Sequence, residues 1–251
     1  MSKAALETRG LSKSFGALTV ANGIDFRLES GARHALIGPN GAGKTSFVNL
    51  VTGALTPSGG TIHLGGMNIT GLAQSARVKH GLVRTFQISA LFQRLCVLEN
   101  VALAIAERDG LAGGLLRPAG RHRRVIEEAY HLLDSLGLAD QALAPVNSLA
   151  YGRQRLVEIA VALGLGPKVL LLDEPAAGVP SSESGVIVSV VERLPADVAV
   201  LIIEHDMGLV FRLARTITVL VQGSVLVEGP PAEIAADQRV RDVYLGERKH
   251  R

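Results

Sequence analysis

Apolar and polar positions alternate between residues 5 and 30, and turn signals stand at Asn22-Gly23 and Ser30-Gly31. A period of two broken in this way predicts antiparallel strands. His34 to Ile37 is a short apolar run of the kind a buried strand has, and Ser46-Phe47-Val48-Asn49-Leu50-Val51 carries one apolar face at helical spacing. Pro57-Ser58-Gly59-Gly60 reads as a turn. Thr61 to Leu64 and Met67 to Ile69, joined by Gly65-Gly66, read as a hairpin. Leu82 to Phe86 is a further strand that ends at Gln87.

From Ile88 to about Gly166 the period becomes helical. One helix is predicted over Glu99–Ala106. A second runs from Arg121 to Leu136, with Val125, Ile126, Ala129, Leu132, Leu133 and Leu136 on one face. A third opens at Ser148–Gln154 and runs to about Leu165. The link Asp109–Gly120 holds four glycines and a proline and is expected to be the most mobile segment. Val169–Leu172 and Val198–Ile203 are continuous apolar runs, as in strands buried on both faces. Thr216–Val221 and Ser224–Glu228 form a closing hairpin around Gln222-Gly223, and short helices follow Gly229-Pro230-Pro231. Strands alternating with helices predict an α/β fold, a mainly parallel sheet covered on both faces. The expected division is a core from residues 1–87 and 167–251 and a helical insertion over 88–166.

Composition narrows the class. With 251 residues, 47% apolar and 20% charged, the chain is expected to be a soluble globular protein with one large core. No apolar run approaches the roughly eighteen residues that span a bilayer, and no signal pattern precedes the first strand. The single cysteine, Cys96, excludes an internal disulfide and a cysteine-based metal site and suits a reducing cytoplasm. Part of the net charge of +3 is the cluster Arg117, Arg121, Arg123 and Arg124, which is either a solvated face or a contact for an acidic surface such as lipid headgroups. An aromatic content of 4% leaves few stacking platforms and argues against nucleic acid as a partner.

The candidate chemistry centres on Gly38-Pro39-Asn40-Gly41-Ala42-Gly43-Lys44-Thr45, set between the His34–Ile37 strand and the following helix. That context is what a phosphate-binding loop requires. Glycines admit positive φ and leave room for phosphate where a Cβ would stand. Backbone N–H groups and the helix N-terminus then face the anion. Lys44 is expected to reach the β- and γ-phosphates, the Thr45 hydroxyl to ligate Mg²⁺, and Ser46 to meet the α-phosphate. Phe15, in Ser-Phe-Gly before the second strand, is either core or an adenine-stacking residue.

Two further strand ends carry polar groups. Val169–Leu172 delivers Asp173-Glu174 at its C-terminal end, where ligands bind in open α/β sheets. Adjacent carboxylates there need a compensating charge; Asp173 is expected to hold Mg²⁺ and Glu174 to orient an attacking water. Val198–Ile203 ends in Glu204-His205-Asp206, and His205 is either a donor to the γ-phosphate or a satisfied surface histidine.

The order of these elements resembles the nucleotide-binding subunit of ABC transporters over essentially the whole chain: an aromatic, the glycine loop, a glutamine after a strand, Leu149-Ala150-Tyr151-Gly152 opening a helix, paired carboxylates, then a strand-end His. The signature stretch Leu149–Gln154 separates this family from other P-loop NTPases. The resemblance implies a P-loop fold with a mixed-sheet core, an antiparallel β subdomain and an inserted α-helical subdomain. It implies that Phe15 stacks on adenine, that Gln87 senses Mg²⁺ and links to the membrane subunit, that Glu174 is the catalytic base and His205 the switch histidine, and that Ala177-Gly178-Val179 begins the D-loop. Arg84-Thr85-Phe86-Gln87, Val97-Leu98-Glu99-Asn100, Asp173–Gly178, Ile203–Met207 and Tyr244-Leu245-Gly246-Glu247 are similar to the LivG-type ATPases of branched-chain amino acid importers.

From that resemblance the cofactors are ATP and Mg²⁺. The partners are transmembrane permease subunits, a second ATPase subunit (a LivF-like heterodimer or a homodimer) and, indirectly, a periplasmic or extracellular substrate-binding protein. The place is the cytoplasmic face of the membrane. ATP held by Lys44 and Thr45 of one subunit is capped by Leu149, Ala150, Tyr151 and Gly152 of the other. Leu91, Phe92 and Leu95 are the candidate exposed apolar surface for the permease. Related importers of urea, amides or aromatic acids are the alternative, and a soluble non-transport ATPase is a further one. The sequence departs from the family at Ala150, Arg153, Val161 and Pro180, where a serine, an amide or acid, an arginine and an asparagine are expected.

Overall fold

The structure, a computed structural model, describes residues 4–85, 91–111, 123–179 and 181–246, with no side-chain description for 181–184, 245 and 246. It divides into two compact units. The first comprises Met1–Leu82, Lys168–Glu174 and Pro195–Arg251; the second comprises Val83–Pro167 and Pro175–Leu194. Residues 175–194 thus cluster with the helical segment despite following a strand of the first unit. No helix among the described residues is long and apolar enough to cross a membrane.

The first unit opens with β1 (Ala4–Phe15) and β2 (Leu18–Glu29), an antiparallel pair. β3 (Arg33–Ile37) leads into α1 (Lys44–Thr52). β4 (Gly59–Leu64), β5 (Met67–Asn68) and α2 (Gln74–Lys79) follow, and β6 (Leu82–Arg84) carries the chain out of the unit. The strands form an antiparallel sheet in the order β2-β1-β4-β5. The expected turn at Asn22-Gly23 is instead an irregularity inside β2: Leu11 is opposite Ile24 while Lys13 is opposite Ala21. Gly23 sits at φ +61° and donates its N–H to Ser12 Oγ, so the extra residue is absorbed as a bulge and the chain reverses at Gly16-Ala17.

In the second unit, α3 (Val97–Arg108) packs on α4 (Arg123–Ser135) and α5 (Tyr151–Gly164), and α6 (Ser181–Glu192) packs on α5. α3 begins with a capping box in which Cys96 and Glu99 exchange hydrogen bonds. Buried Asn100 accepts from Phe92 N and donates to the carbonyls of Phe92 and Cys96, so the segment before α3 is held by a side chain one turn into it. This arrangement corrects the expected docking surface: Leu91 is buried and Leu95 half-buried, and only Phe92 stands out, at 61% exposure. Arg108 joins α3 to α4 through Glu128 at 2.7 Å. Of the arginine cluster, Arg123 pairs with Glu127 and Arg124 with Asp109; Arg117 and Arg121, like most of the glycine-rich link, lie outside the described residues.

Back in the first unit, β7 (Val169–Asp173), β8 (Ala199–Ile203), α7 (Met207–Leu213), β9 (Thr216–Val221), β10 (Ser224–Gly229), α8 (Pro231–Ala236) and α9 (Gln238–Gly246) complete the chain. The larger sheet runs β10-β9-β3-β8-β7-β6, with β3 parallel to β8 and β9 and β7 parallel to β8. β3 shows the period of two: Leu36 enters a core shared with α1 and the antiparallel sheet, while Ala35 and Ile37 enter a second core with Val210, Ile217 and Ile234. A β strand with both faces covered has no polar side, which explains the apolar run Ala35-Leu36-Ile37.

The same strand nonetheless buries a histidine. His34 is 2% exposed, lies 4.9 Å from the Phe26 ring and bonds through Nε2 to Thr218 Oγ1 at 2.7 Å. Thr218 donates in turn to Glu228 at 2.5 Å. Burial pushes the His34 pKa down to about 4 despite Glu228 at 3.8 Å, because the imidazolium would lose its water. The folded state therefore binds fewer protons than the unfolded one between pH 6.5 and 4, and stability falls as pH drops through that window. We expect this group to cost roughly 2–4 kcal/mol by pH 4. In His34→Gln, the loss of urea-unfolding free energy between pH 7.5 and 4.5 should shrink by most of that amount. An unchanged loss would show that His34 carries no such cost.

Candidate functional site

Strand register brings the candidate residues to one edge of the first unit. Leu36 is opposite Ile203 across β3 and β8, and Ile203 is opposite Asp173 across β8 and β7. Neighbouring strands lie about 4.8 Å apart. The loop after Ile37, the Asp173-Glu174 pair and the Glu204-His205 pair therefore leave the sheet side by side, at the carboxyl ends of parallel strands.

The loop is shaped by close backbone approach. A Cβ on Gly38 would lie 2.2 Å from the Leu220 carbonyl oxygen, and one on Gly43, at φ +99°, 2.6 Å from that of Val20. Neither contact is possible for another residue. Ala42 is buried, and its carbonyl accepts from Gly223 N, which fixes the loop to the turn between β9 and β10. Gly43 caps α1 without a side-chain bond. The first backbone bond into the helix runs from Phe47 N to Gly43 O, so the N–H groups of Lys44, Thr45 and Ser46 have no intrahelical acceptor. The Lys44 ammonium donates to the carbonyls of Gly38 and Pro39. Thr45 is exposed and Ser46 half-exposed at this end.

Asp173 is 5% exposed. Glu174 takes φ +47°, a left-handed backbone uncommon for a residue with a side chain, and its N–H donates to Ile203 O at 2.9 Å. Such strain, of order 1–3 kcal/mol, persists where surrounding bonds enforce it and clusters at working sites. His205 Nδ1 lies 3.6 Å from Glu174 Oε1 and 3.6 Å from Glu204 Oε2. Glu204 carries no motif of its own in the sequence. It is 3% exposed and accepts from the backbone N–H groups of His205 and Asp206, so it shapes the turn that carries the histidine. Asp206 then caps α7 through Gly208 N and Leu209 N.

Phe15, at the end of β1, is 53% exposed with Lys13 Nζ 4.9 Å from its ring centre, which removes the core alternative for this residue. Gln87 and Pro180 lie outside the described residues.

In the second unit, Leu149 is half-buried, Ala150 is exposed as the N-cap of α5 with no side-chain bond, Tyr151 is 47% exposed and Gly152 is buried. Arg153 donates to the Gly137 carbonyl at 2.7 Å, an anchoring contact inside its own unit. The Tyr151 ring lies against Gly178, whose Cβ would stand 3.0 Å from it, and the Arg155 guanidinium stacks 5.2 Å from the same ring. The start of the expected D-loop and the signature helix are thus in contact, which no spacing in the sequence reveals.

A family model described as ABC transporter matches residues 21–177. The high-affinity branched-chain amino acid transport ATP-binding protein BraF of Pseudomonas aeruginosa is 39% identical over 98% of this chain and 100% of its own length. This chain belongs to the ABC transporter family. Within the family, the branched-chain amino acid transport ATP-binding protein LivG of Escherichia coli K12 is 37% identical over 98% of this chain and all of its own. A second model, described as branched-chain amino acid ATP-binding cassette transporter, matches residues 224–250. Among solved structures, the ADP conformation of MJ1267, an ATP-binding cassette of an ABC transporter, superposes with a TM-score of 0.85 at 28% identity, over 98% of this chain and 99% of its own. The ABC cassette fold is the α/β fold with separate antiparallel sheet and helical segment, and this family member is an ATP-hydrolysing transporter subunit.

Proposed function

We propose that this chain is the ATPase subunit of an importer for branched-chain amino acids, with its nucleotide held at the edge formed by the glycine loop, Asp173-Glu174 and His205. The observation that carries the reading is the register Leu36–Ile203–Asp173, which sets a phosphate loop, two carboxylates and a histidine at adjacent strand ends. In this reading the N–H groups from Gly41 to Thr45, apart from that of Ala42, which donates to Pro39 O, bind the phosphates together with the Lys44 ammonium. Phe15, an exposed aromatic at a strand end, stacks on adenine. Asp173 and the Thr45 hydroxyl supply oxygen donors of the kind that suits Mg²⁺; Gln87, the other expected ligand, lies outside the described residues. The cation would offset charge on the phosphates, and Asp173, at the carboxyl end of β7 beside the glycine loop, supplies a carboxylate oxygen for it.

Glu174 accepts the proton of the attacking water, and His205 donates to the γ-phosphate oxygen. Little covalent chemistry is asked of the protein, since phosphoryl transfer is governed by positioning and electrostatics. The start of α5, Leu149 to Gly152 with Ala150 and Tyr151 exposed, caps the triphosphate of a companion subunit through the first-turn N–H groups of the helix and its dipole. Ala150 contributes no hydroxyl there, so backbone donors carry the contact. Exposed Phe92, together with Leu143 at 80% exposure, offers the apolar surface for a permease.

Support for the substrate class is the full-length similarity to BraF and LivG and the matched C-terminal segment. The test is reconstitution with its permeases, companion ATPase and binding protein in vesicles. Leucine, isoleucine or valine on the binding-protein side should raise ATP turnover several-fold and be accumulated. Stimulation by urea, amides or aromatic acids alone would overturn the substrate assignment, and failure to associate with any permease would overturn the importer reading.

A further inference from the structure

Arg77, in α2, is 2% exposed and is among the largest fully buried side chains of the molecule. A guanidinium stays charged in a protein, and none of its partners is a carboxylate. Its donors all end on backbone carbonyls: Nη1 on Leu50 at 2.8 Å and Val51 at 2.6 Å, Nη2 on Thr70 at 2.8 Å, and Nε on Leu72 at 3.0 Å. Leu50 and Val51 belong to the last turn of α1, the helix whose first turn carries Lys44, Thr45 and Ser46. The arginine is therefore a cation seated on the negative pole of the helix that presents its positive pole to the candidate phosphate site.

Space has been kept for it. Gly53, the C-cap of α1 at φ +84°, would place a Cβ 2.8 Å from Arg77 Nε. The opposite wall is the turn Thr70–Leu72, itself fixed where Thr70 bonds to Asn68 and to Ile62 of β4. One side chain thus joins the end of α1 to the antiparallel sheet. Two effects follow. At the helix end Arg77 gives the Val51 carbonyl a donor and adds a second donor to the Leu50 carbonyl, which also accepts from the Gly53 N–H, so the last turn is held against fraying. The half-unit of negative charge at that end is also neutralised, so it no longer subtracts from the field at the other end, about 13 Å away for a nine-residue helix.

We propose that Arg77 is a positioning residue for nucleotide binding, setting phosphate affinity from the far end of α1. The inference rests on the reading that the glycine loop binds the nucleotide. It is tested by calorimetric titration of ADP and of Mg-ATP into the full-length protein at a temperature well below its melting point. Arg77→Met, similar in length and without charge, should weaken both nucleotides by roughly 3–10-fold at unchanged stoichiometry. Arg77→Lys keeps the charge but cannot reach all four carbonyls, and should fall between Met and wild type. A purely structural arginine would lower the melting temperature and leave the dissociation constants of folded protein unchanged; that result in either variant overturns the proposal. Should Arg77→Met not fold, the Lys variant decides alone, with a two- to threefold loss expected. Lys44→Ala run alongside separates the two ideas: if it binds nucleotide normally, the loop reading has failed, and if it loses binding while the Arg77 variants do not, only this inference has.

Discussion

Replacing Glu174 by Gln is expected to slow ATP turnover by roughly 10²–10⁴-fold while leaving nucleotide affinity within a few-fold of wild type. Glutamine matches glutamate in size and keeps one oxygen acceptor, so it can fill the same place. It cannot take a proton from water at neutral pH. The place itself is enforced by the backbone: Glu174 is held at φ +47° by its N–H bond to Ile203 O, and that bond does not depend on the side chain. His205, 3.6 Å from the carboxylate, keeps its position through Glu204, which bonds the backbone of its turn. Phosphate release under saturating Mg-ATP and titration of ATP binding give the two readouts. Loss of binding together with turnover would move Glu174 from chemistry to structure. Turnover within tenfold of wild type would remove it from both.

Lys44→Ala should act on the other quantity. The Lys44 ammonium donates to the Gly38 and Pro39 carbonyls of the loop, and charge-assisted hydrogen bonds contribute on the order of 1.5–3 kcal/mol each. Losing its contacts to two phosphate groups should weaken ATP by at least about 10²-fold, with a smaller effect on ADP, which lacks the γ-phosphate. The fold should survive, because the loop's shape is set elsewhere: by the approach of Gly38 to Leu220 O, of Gly43 to Val20 O, and by the bond from Gly223 N to Ala42 O. Circular dichroism establishes survival, and a competition assay with both nucleotides measures the split. Equal losses for ATP and ADP would place Lys44 away from the γ-phosphate. Unchanged ATP affinity would end the loop assignment.

Much of the site could be read along the chain because each part is a local motif. The glycines, Lys44 and Thr45 are consecutive, and Asp173-Glu174 and His205 each follow an apolar strand whose termination is visible in composition. What could not be read was anything set by cross-chain contact. Asn22-Gly23 carries a turn signature yet lies in a continuous strand, because β1 offers it a partner that absorbs one extra residue. Leu91 looked like surface beside Phe92, and burial separates the two. Arg77 looks like one more polar residue in a short helix, and nothing in its neighbours announces four backbone acceptors from two other segments. Glu204 sits in the same strand-end triplet as His205, and only its burial and its bonds show that it shapes the turn.

The amino-acid sequence alone determined the fold class, the candidate phosphate loop and the set of polar residues that end the parallel strands, since strand period, glycine spacing and terminal carboxylates are properties of short consecutive stretches. Only the tertiary structure decided which of those ends are neighbours, which backbone is strained at Glu174, and which cation supports the loop helix from behind. Register, backbone dihedrals and burial arise between segments distant in the chain, where no residue's own neighbours carry the information.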